Sequence, residues 1–224
     1  MIFKELEALF QSSTIKPTFE KVHIILALFI FDENKEGIGR YRLQKELLIG
    51  EGTAKSLIKK LNENIKFITV TEGKKRKGHV LTELGLNYLA KIKERIPIIL
   101  EGDSTVLKDL IISAEIIYTY FCLIRNANHK ISDGVIQRDA AIKVNGSGAT
   151  CLVFDGNNLI FPSKMHHENV DYEKPLDKSL YKYFQTQLAD RYVRMEENDV
   201  IIIGSGDTPQ NARLATINAA LTLI

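Results

Sequence analysis

The stretch whose reading decides the fold is Arg40-Tyr41-Arg42-Leu43-Gln44-Lys45-Glu46-Leu47-Leu48-Ile49-Gly50-Glu51-Gly52-Thr53-Ala54-Lys55-Ser56-Leu57-Ile58-Lys59-Lys60-Leu61. Gly50-Glu51-Gly52 breaks it in two, because glycine costs helix stability and favours turns. Arg40–Leu48 reads as one helix, with Tyr41 and Leu43 near its start and Leu47 and Leu48 near its end. A second helix is predicted from about Thr53 to Asn64. In it Ala54, Leu57, Ile58 and Leu61 fall at i, i+3, i+4 and i+7, a stripe that faces a core. The opposite face carries Thr53, Lys55, Ser56, Lys59 and Lys60.

Upstream, Thr18 is the expected N-cap of a helix with Glu20 and Lys21 in its first turn. Val22 to Phe31 is almost continuously apolar, so that helix is expected to be buried on most sides. Met1–Gln11 places Phe3, Leu6 and Phe10 on one side of a short extra helix. Downstream, Phe67-Ile68-Thr69-Val70-Thr71 is strand-like and His79-Val80-Leu81 returns. Between them Lys74-Lys75-Arg76-Lys77 sits between Gly73 and Gly78, a hairpin with a basic tip. Thr82 and Glu83 open a fourth helix containing Leu84, Leu86, Tyr88, Leu89 and Ile92. The order is helix, helix, glycine turn, helix, basic hairpin, helix, which predicts a winged helix-turn-helix. Its third helix suits a major groove, and its hairpin tip suits the phosphate backbone or the minor groove. The residues expected to meet double-stranded DNA are Arg40, Arg42, Thr53, Lys55, Ser56, Lys59, Lys60, Lys74, Lys75, Arg76 and Lys77.

Charge supports a division of labour. Residues 1–96 hold 18 Lys+Arg against 12 Asp+Glu, a balance of +6, whereas residues 97–224 hold 12 against 16, a balance of −4. Within 38–81 the count is 11 against 4, or +7, the footprint of a nucleic-acid-binding module. Two domains are expected, 1–96 and 97–224. The 224-residue length permits two. A hydrophobic fraction of 45% excludes a disordered chain. Cys122 and Cys151 lie in apolar runs, so both are expected to be buried free thiols, which excludes a disulfide scaffold. Apolar runs such as Ile24–Phe31 are too short for a membrane helix, and Met1–Glu7 lacks a signal-peptide pattern. A cytoplasmic location without membrane attachment is expected.

In the back half, strands are predicted at Ile116–Ile124, Ala149–Phe154, Leu159–Phe161 and Val200–Ile203, with Asp155-Gly156-Asn157-Asn158 as a hairpin turn. Ser132 is the expected cap of one helix, Leu180–Leu188 a second, and Pro209 the start of a third. The fold class expected is α+β: the winged helix-turn-helix, then a two-layer α/β domain with helices on one face of a sheet. Asn145-Gly146-Ser147-Gly148 and Gly204-Ser205-Gly206 each abut a strand. If both lie at one sheet edge they line a small-ligand pocket, their backbone N–H groups facing the ligand. The second loop lacks the lysine of a phosphate loop, and Asp207 repels an anion. His166-His167 with Glu168 and Asp171 matches no metal-ligand spacing, so no metal and no cofactor are expected. No catalytic constellation is evident, and Arg138-Asp139 reads as a surface or interface ion pair.

Both halves also resemble a known family. Gly39-Arg40-Tyr41-Arg42-Leu43, Leu48-Ile49-Gly50-Glu51-Gly52-Thr53-Ala54-Lys55-Ser56-Leu57 and Gly78-His79-Val80-Leu81-Thr82-Glu83-Leu84-Gly85 resemble archaeal winged-helix transcription regulators. The DNA-binding domain of these regulators is similar to that of HrcA-type heat-shock repressors. The resemblance covers about 18–95 and implies that Thr53, Lys55, Ser56 and Lys59 face DNA. The back half resembles the uncharacterised C-terminal domain of the same proteins, through Arg138-Asp139-Ala140-Ala141-Ile142, Gly148-Ala149-Thr150, Phe154-Asp155-Gly156 and Phe161-Pro162.

The expected function is a DNA-binding transcriptional regulator, not an enzyme. Its second domain is expected to sense a small-molecule effector, to form a homodimer, or both, since two half-sites multiply specificity. The rival classes are a protein-interaction adaptor and an enzyme acting on a small anion through the second domain. Replacing Lys74, Lys75, Arg76 and Lys77 together by Ala is expected to weaken binding to every DNA sequence and to flatten the salt dependence by up to about four contacts' worth. A variant with the parent's affinity and salt slope would remove the wing assignment.

Overall fold

A computed structural model describes residues 3–11, 17–71, 78–111, 118–162 and 176–224. It divides into two units, Met1–Lys93 and Glu94–Ile224. The division falls ahead of the boundary expected between 96 and 97. The carbonyl of Arg95 accepts a hydrogen bond from the Arg125 N–H at 2.9 Å, which ties that segment to the second unit.

In the first unit a 3-10 turn, Lys4–Leu6, runs into α1 (Glu7–Phe10) and buries Leu6 and Leu9. Helix α2 (Lys21–Glu33) is buried at Val22 and from Ile24 through Phe31. Its cap is Glu20 rather than Thr18. The Glu20 side chain accepts from the backbone of His23, and the His23 ring accepts from the Glu20 N–H at 2.9 Å, a reciprocal box that satisfies two otherwise orphaned donors. Helix α3 (Arg40–Leu47) ends where Leu48 turns left-handed at φ 53°. Helix α4 (Glu51–Lys59) starts earlier than its apolar stripe suggested, capped by Gly50. It ends in a wider π turn over Lys60–Asn64, closed by the Ile65 N–H on the Lys60 carbonyl at 3.3 Å.

Strands β1 (Ile68–Val70) and β2 (His79–Leu81) pair antiparallel, Ile68 opposite Leu81 and Val70 opposite His79. Helix α5 (Glu83–Lys93) follows, with Thr82 accepting the Gly85 N–H. Helix α2 packs on α3, α5 and β2. Leu43, Leu47, Ala54, Leu57, Leu61, Tyr88, Leu89 and Ile92 are buried, at about 1.5–3 kcal/mol for each large side chain removed from water. Leu84 and Leu86 point outward, 56% and 47% exposed, so the apolar residues of α5 do not all belong to its core stripe.

The second unit is a five-stranded sheet. Its strands are β3 (Ile99–Gly102), β4 (Tyr118–Ile124), β5 (Gly148–Phe154), β6 (Leu159–Ile160) and β7 (Val200–Gly206), in the order β3-β4-β7-β5-β6, every neighbour antiparallel. Its helices are α6 (Val135–Lys143), α7 (Lys178–Ala189) and α8 (Pro209–Ala220). Successive residues of a strand face opposite ways, and both faces are covered. Tyr120 lies under Arg213 of α8, while its neighbour Phe121 meets Phe184 of α7 edge-on, ring centroids 5.1 Å apart. The two-layer expectation is therefore corrected. Helices α6 and α8 cover one face, and α7 covers the other, where Phe184 and Leu188 cluster with Leu123, Leu152, Ile201 and Ile203.

Helix α6 begins after Gly134, which adopts φ 78°, with the Asp133 carboxylate accepting the Val135 N–H at 3.1 Å; Ser132 is not its cap. On the face toward α8, Cys122, Ile202 and Cys151 stand in one row across three strands. Both thiols are free and buried, and burial pushes the Cys151 thiol up to about 12.

Strand β7 continues through Gly204-Ser205-Gly206, a stretch expected to be a turn. A Cβ on Gly204 would strike the Thr216 side chain and stand 2.5 Å from its backbone nitrogen. The obstruction is helix backbone, which does not swing aside as a side-chain end does. Gly204→Ala is expected to cost about 1–3 kcal/mol, read as a lower denaturant midpoint for the second unit. An unchanged midpoint would mean that α8 does not pack this closely.

Candidate nucleic-acid interface

Helix α4 sorts its residues by face. Ala54, Leu57 and Ile58 are buried, Lys55 and Lys59 are exposed, and Thr53 and Ser56 are half-buried between them. The three-residue connection Leu48-Ile49-Gly50 follows α3, which exposes Arg42 and Tyr41, the latter 66% exposed. Arg40 ties the two helix starts together. Its Nη2 donates to Glu51 Oε1 at 2.9 Å, and its guanidinium lies 4.9 Å from the Tyr41 ring centroid. The Thr53 hydroxyl is 2.6 Å from that of Thr18. Lys59 stands 3.8 Å from Glu63 one turn on, both largely exposed, a geometry that holds the ammonium only weakly.

Lys60 departs from the sequence expectation. Its ammonium donates to the carbonyls of Leu9 at 2.7 Å and Gln11 at 3.0 Å, so it fastens the N-terminal segment instead of facing outward. Of the expected cations, Arg42, Lys55 and Lys59 are exposed, with Arg40 partly engaged. Lys74, Lys75, Arg76 and Lys77 lie outside the described residues, as do His166, His167, Glu168 and Asp171. The base of the hairpin is described. The Thr71 N–H donates to the Gly78 carbonyl at 2.9 Å, and the Gly78 N–H to the Thr71 hydroxyl at 3.0 Å. Ile38 and His79 exchange backbone hydrogen bonds of 3.1 and 2.9 Å, adding a third strand-like edge. The pairing of Arg40 with Glu51 and the stacked Tyr41 escaped the sequence reading, because a contact across a turn has no periodicity.

The expected ligand loops meet, and glycines of both are packed against α8. The Ser147 N–H donates to the Ser205 carbonyl at 2.8 Å, which places Asn145–Gly148 beside Gly204–Gly206. A Cβ on Gly146 would strike Ala215 and stand 3.1 Å from the Ser205 carbonyl, and one on Gly206 would lie 2.7 Å from the Ala212 nitrogen. Ser205 is buried within β7. These residues pack α8 onto the sheet, and their smallness serves that approach. A cavity of about 360 Å³ opens instead at the start of α6, among Leu110, Val135, Arg138, Cys151, Phe161 and Pro162. Another of about 570 Å³ borders α7 and the segment Val193–Met195.

Comparison with other proteins adds the following. Residues 117–223, all within the second unit, match the family described as a domain of unknown function, DUF4443. A solved structure of a hypothetical protein from the archaeon Pyrococcus horikoshii superposes with a TM-score of 0.63, covering 92% of this chain and 93% of that one at 24% identity. This is a likeness of fold. No curated protein matches the chain. Among the described residues, no helix is long and apolar enough to cross a membrane.

Two histidines make the first unit sensitive to acid. Burial lowers the pKa of His23 below 6.5, outweighing the nearby Glu20 carboxylate, and burial likewise lowers that of His79 at the hairpin base. Nδ1 of His79 is buried with no hydrogen-bond partner. The folded state thus binds these protons less readily than the unfolded state. Stability is full above about pH 6.5 and declines as pH falls toward the folded pKa values. Denaturation of the full chain at pH 7.5 and at pH 5.5 is expected to give a lower midpoint at acid pH, with a smaller difference in His23→Gln. Equal differences in parent and variant would show that His23 is not a source of the effect.

Proposed function

We propose that the chain is a sequence-specific DNA-binding transcriptional regulator. Its first unit acts as a winged helix-turn-helix of the HrcA type, and its second serves dimerisation, effector sensing or both. The observation that carries this reading is the split character of α4. One face is buried through Ala54, Leu57 and Ile58, while the other presents Lys55, Lys59, Ser56 and Thr53. A helix so divided enters a major groove without giving up its place in the core. The paired strands β1 and β2, with Ile38 bridging to His79, support a wing beside it. The balance of +7 over residues 38–81 supplies attraction to phosphate, and the −4 of the back half keeps that half off DNA.

The reading is tested by a DNA mobility shift across salt concentrations, followed by selection of bound sequences from a random library. Lys55→Ala or Ser56→Ala is expected to change base preference at one or two positions, at about 1–3 kcal/mol per lost base contact. Lys60→Ala is expected to leave the preference profile unaltered, since its ammonium is held by Leu9 and Gln11. Absence of salt-dependent DNA binding by the parent would overturn the function. Unaltered profiles in both Lys55→Ala and Ser56→Ala would move the reading surface away from α4.

A further inference from the structure

Helix α6 turns Gln137 and Ala141 inward and leaves its other side bare. At 100° per residue, Val135, Arg138, Asp139 and Ile142 fall on that outer side. Val135 is 41% exposed and Ile142 50% exposed. The Arg138 and Asp139 side chains, 51% and 60% exposed, pair with each other at 2.9 Å. The pattern is apolar, cation, anion, apolar, spaced symmetrically about a point between 138 and 139, so that reversing it sets each charge opposite its counter-charge. It is self-complementary in shape and in charge.

We propose that this face of α6 is the interface with a second copy of the chain, two α6 helices packing antiparallel about a two-fold axis between Arg138 and Asp139. The inference rests on the dimeric reading given above and names the element responsible. In that arrangement Val135 of each copy meets Ile142 of the other, and Arg138 of each copy meets the other copy's Asp139. Reciprocal contact of this kind is what a two-fold interface requires. A guanidinium has donors enough to serve both its own neighbour and the carboxylate across the axis. The cavity of about 360 Å³ adjoins Val135 and is walled by Phe161, itself 47% exposed. It lies where the incoming Ile142 arrives and extends the contact beyond one helix. A hydrophilic partner would leave Val135, Ile142 and Phe161 uncovered, and an apolar partner without charge would strand Arg138 and Asp139. A second copy satisfies both sets.

The test is the oligomeric state of the full chain, followed by sedimentation over a concentration series. The parent is expected to dimerise. Arg138→Asp and Asp139→Arg each place like charges across the axis, and each is expected to raise the dimer dissociation constant at least about tenfold. The double swap, carrying both changes, restores the opposite pairing and is expected to return most of the affinity. Ile142→Asp is expected to weaken the dimer by a similar factor, about tenfold or more. All three positions are exposed, and circular dichroism checks that the variants fold. A parent dimer that both single swaps and Ile142→Asp leave unaltered would overturn the α6 interface while leaving the dimeric reading intact. A double swap as weak as the single ones would overturn the reciprocal pairing. A parent that stays monomeric throughout would overturn the dimeric reading together with this interface.

Discussion

Strand β7 has to satisfy two layers at once. It lies between β4 and β5, pairing with both along its length, and all seven of its residues are buried. Toward α7 it offers the large side chains Ile201 and Ile203. Toward α8 it offers Ile202 and then Gly204 and Gly206, so the helix comes into contact with the strand backbone itself. Thr216 completes that contact. Its buried hydroxyl stands 2.8 Å from the Ala212 carbonyl and 3.1 Å from that of Tyr120, a proton shared between helix and sheet. At the strand's start the carboxylate of Asp199 is buried. It accepts from Arg125 at 2.6 Å and from the N–H groups of Asn126 and Glu196 at 3.0 and 2.9 Å. A buried charge is tolerable only when so fully paired, and here the pairing fixes where β4 ends and β7 begins.

The first unit depends on a simpler constraint. A helix of nine residues can bury one stripe only, and α4 spends its apolar residues there. Lys55 and Lys59 lie off that stripe, which is why they remain exposed. Lys60 shows the limit of that rule. One residue farther on, the π turn brings the ammonium to the carbonyls of Leu9 and Gln11, and a cation counted with the outer face becomes a clasp for the N-terminal segment.

Periodicity made most elements legible. The continuous apolar run of α2, the stripe of α4, the strands around the hairpin, and the apolar runs of β4, β5 and β7 all follow from residue type and spacing. Contacts that close in space but not in sequence were hidden. The alternation within β4 indicates two faces, yet nothing in residues 97–224 taken alone says that α7 crosses to the face opposite α8. Gly204-Ser205-Gly206 carries the composition of a loop, and only the proximity of Thr216 and Ala212 explains glycine inside a central strand. The same ambiguity applies to Gly146 and Gly204, each of which lies against helix α8. The exposed residues of α4 were legible because they are what a core stripe leaves over.

The row formed by Cys122, Ile202 and Cys151 has a practical consequence. One strand separates the two sulfurs, about two interstrand spacings or roughly 9–10 Å between backbones, too far for a disulfide without rearrangement. Both thiols are raised by burial; Cys122 is fully buried on the face toward α8, while Cys151 borders the cavity at the start of α6. An alkylating reagent can therefore modify Cys122 only after the helix lifts, whereas Cys151 has the cavity as a path. The native chain contains its own clock for that opening, and the rate of Cys122 labelling counts how often the second unit parts its layers without any probe being engineered into it.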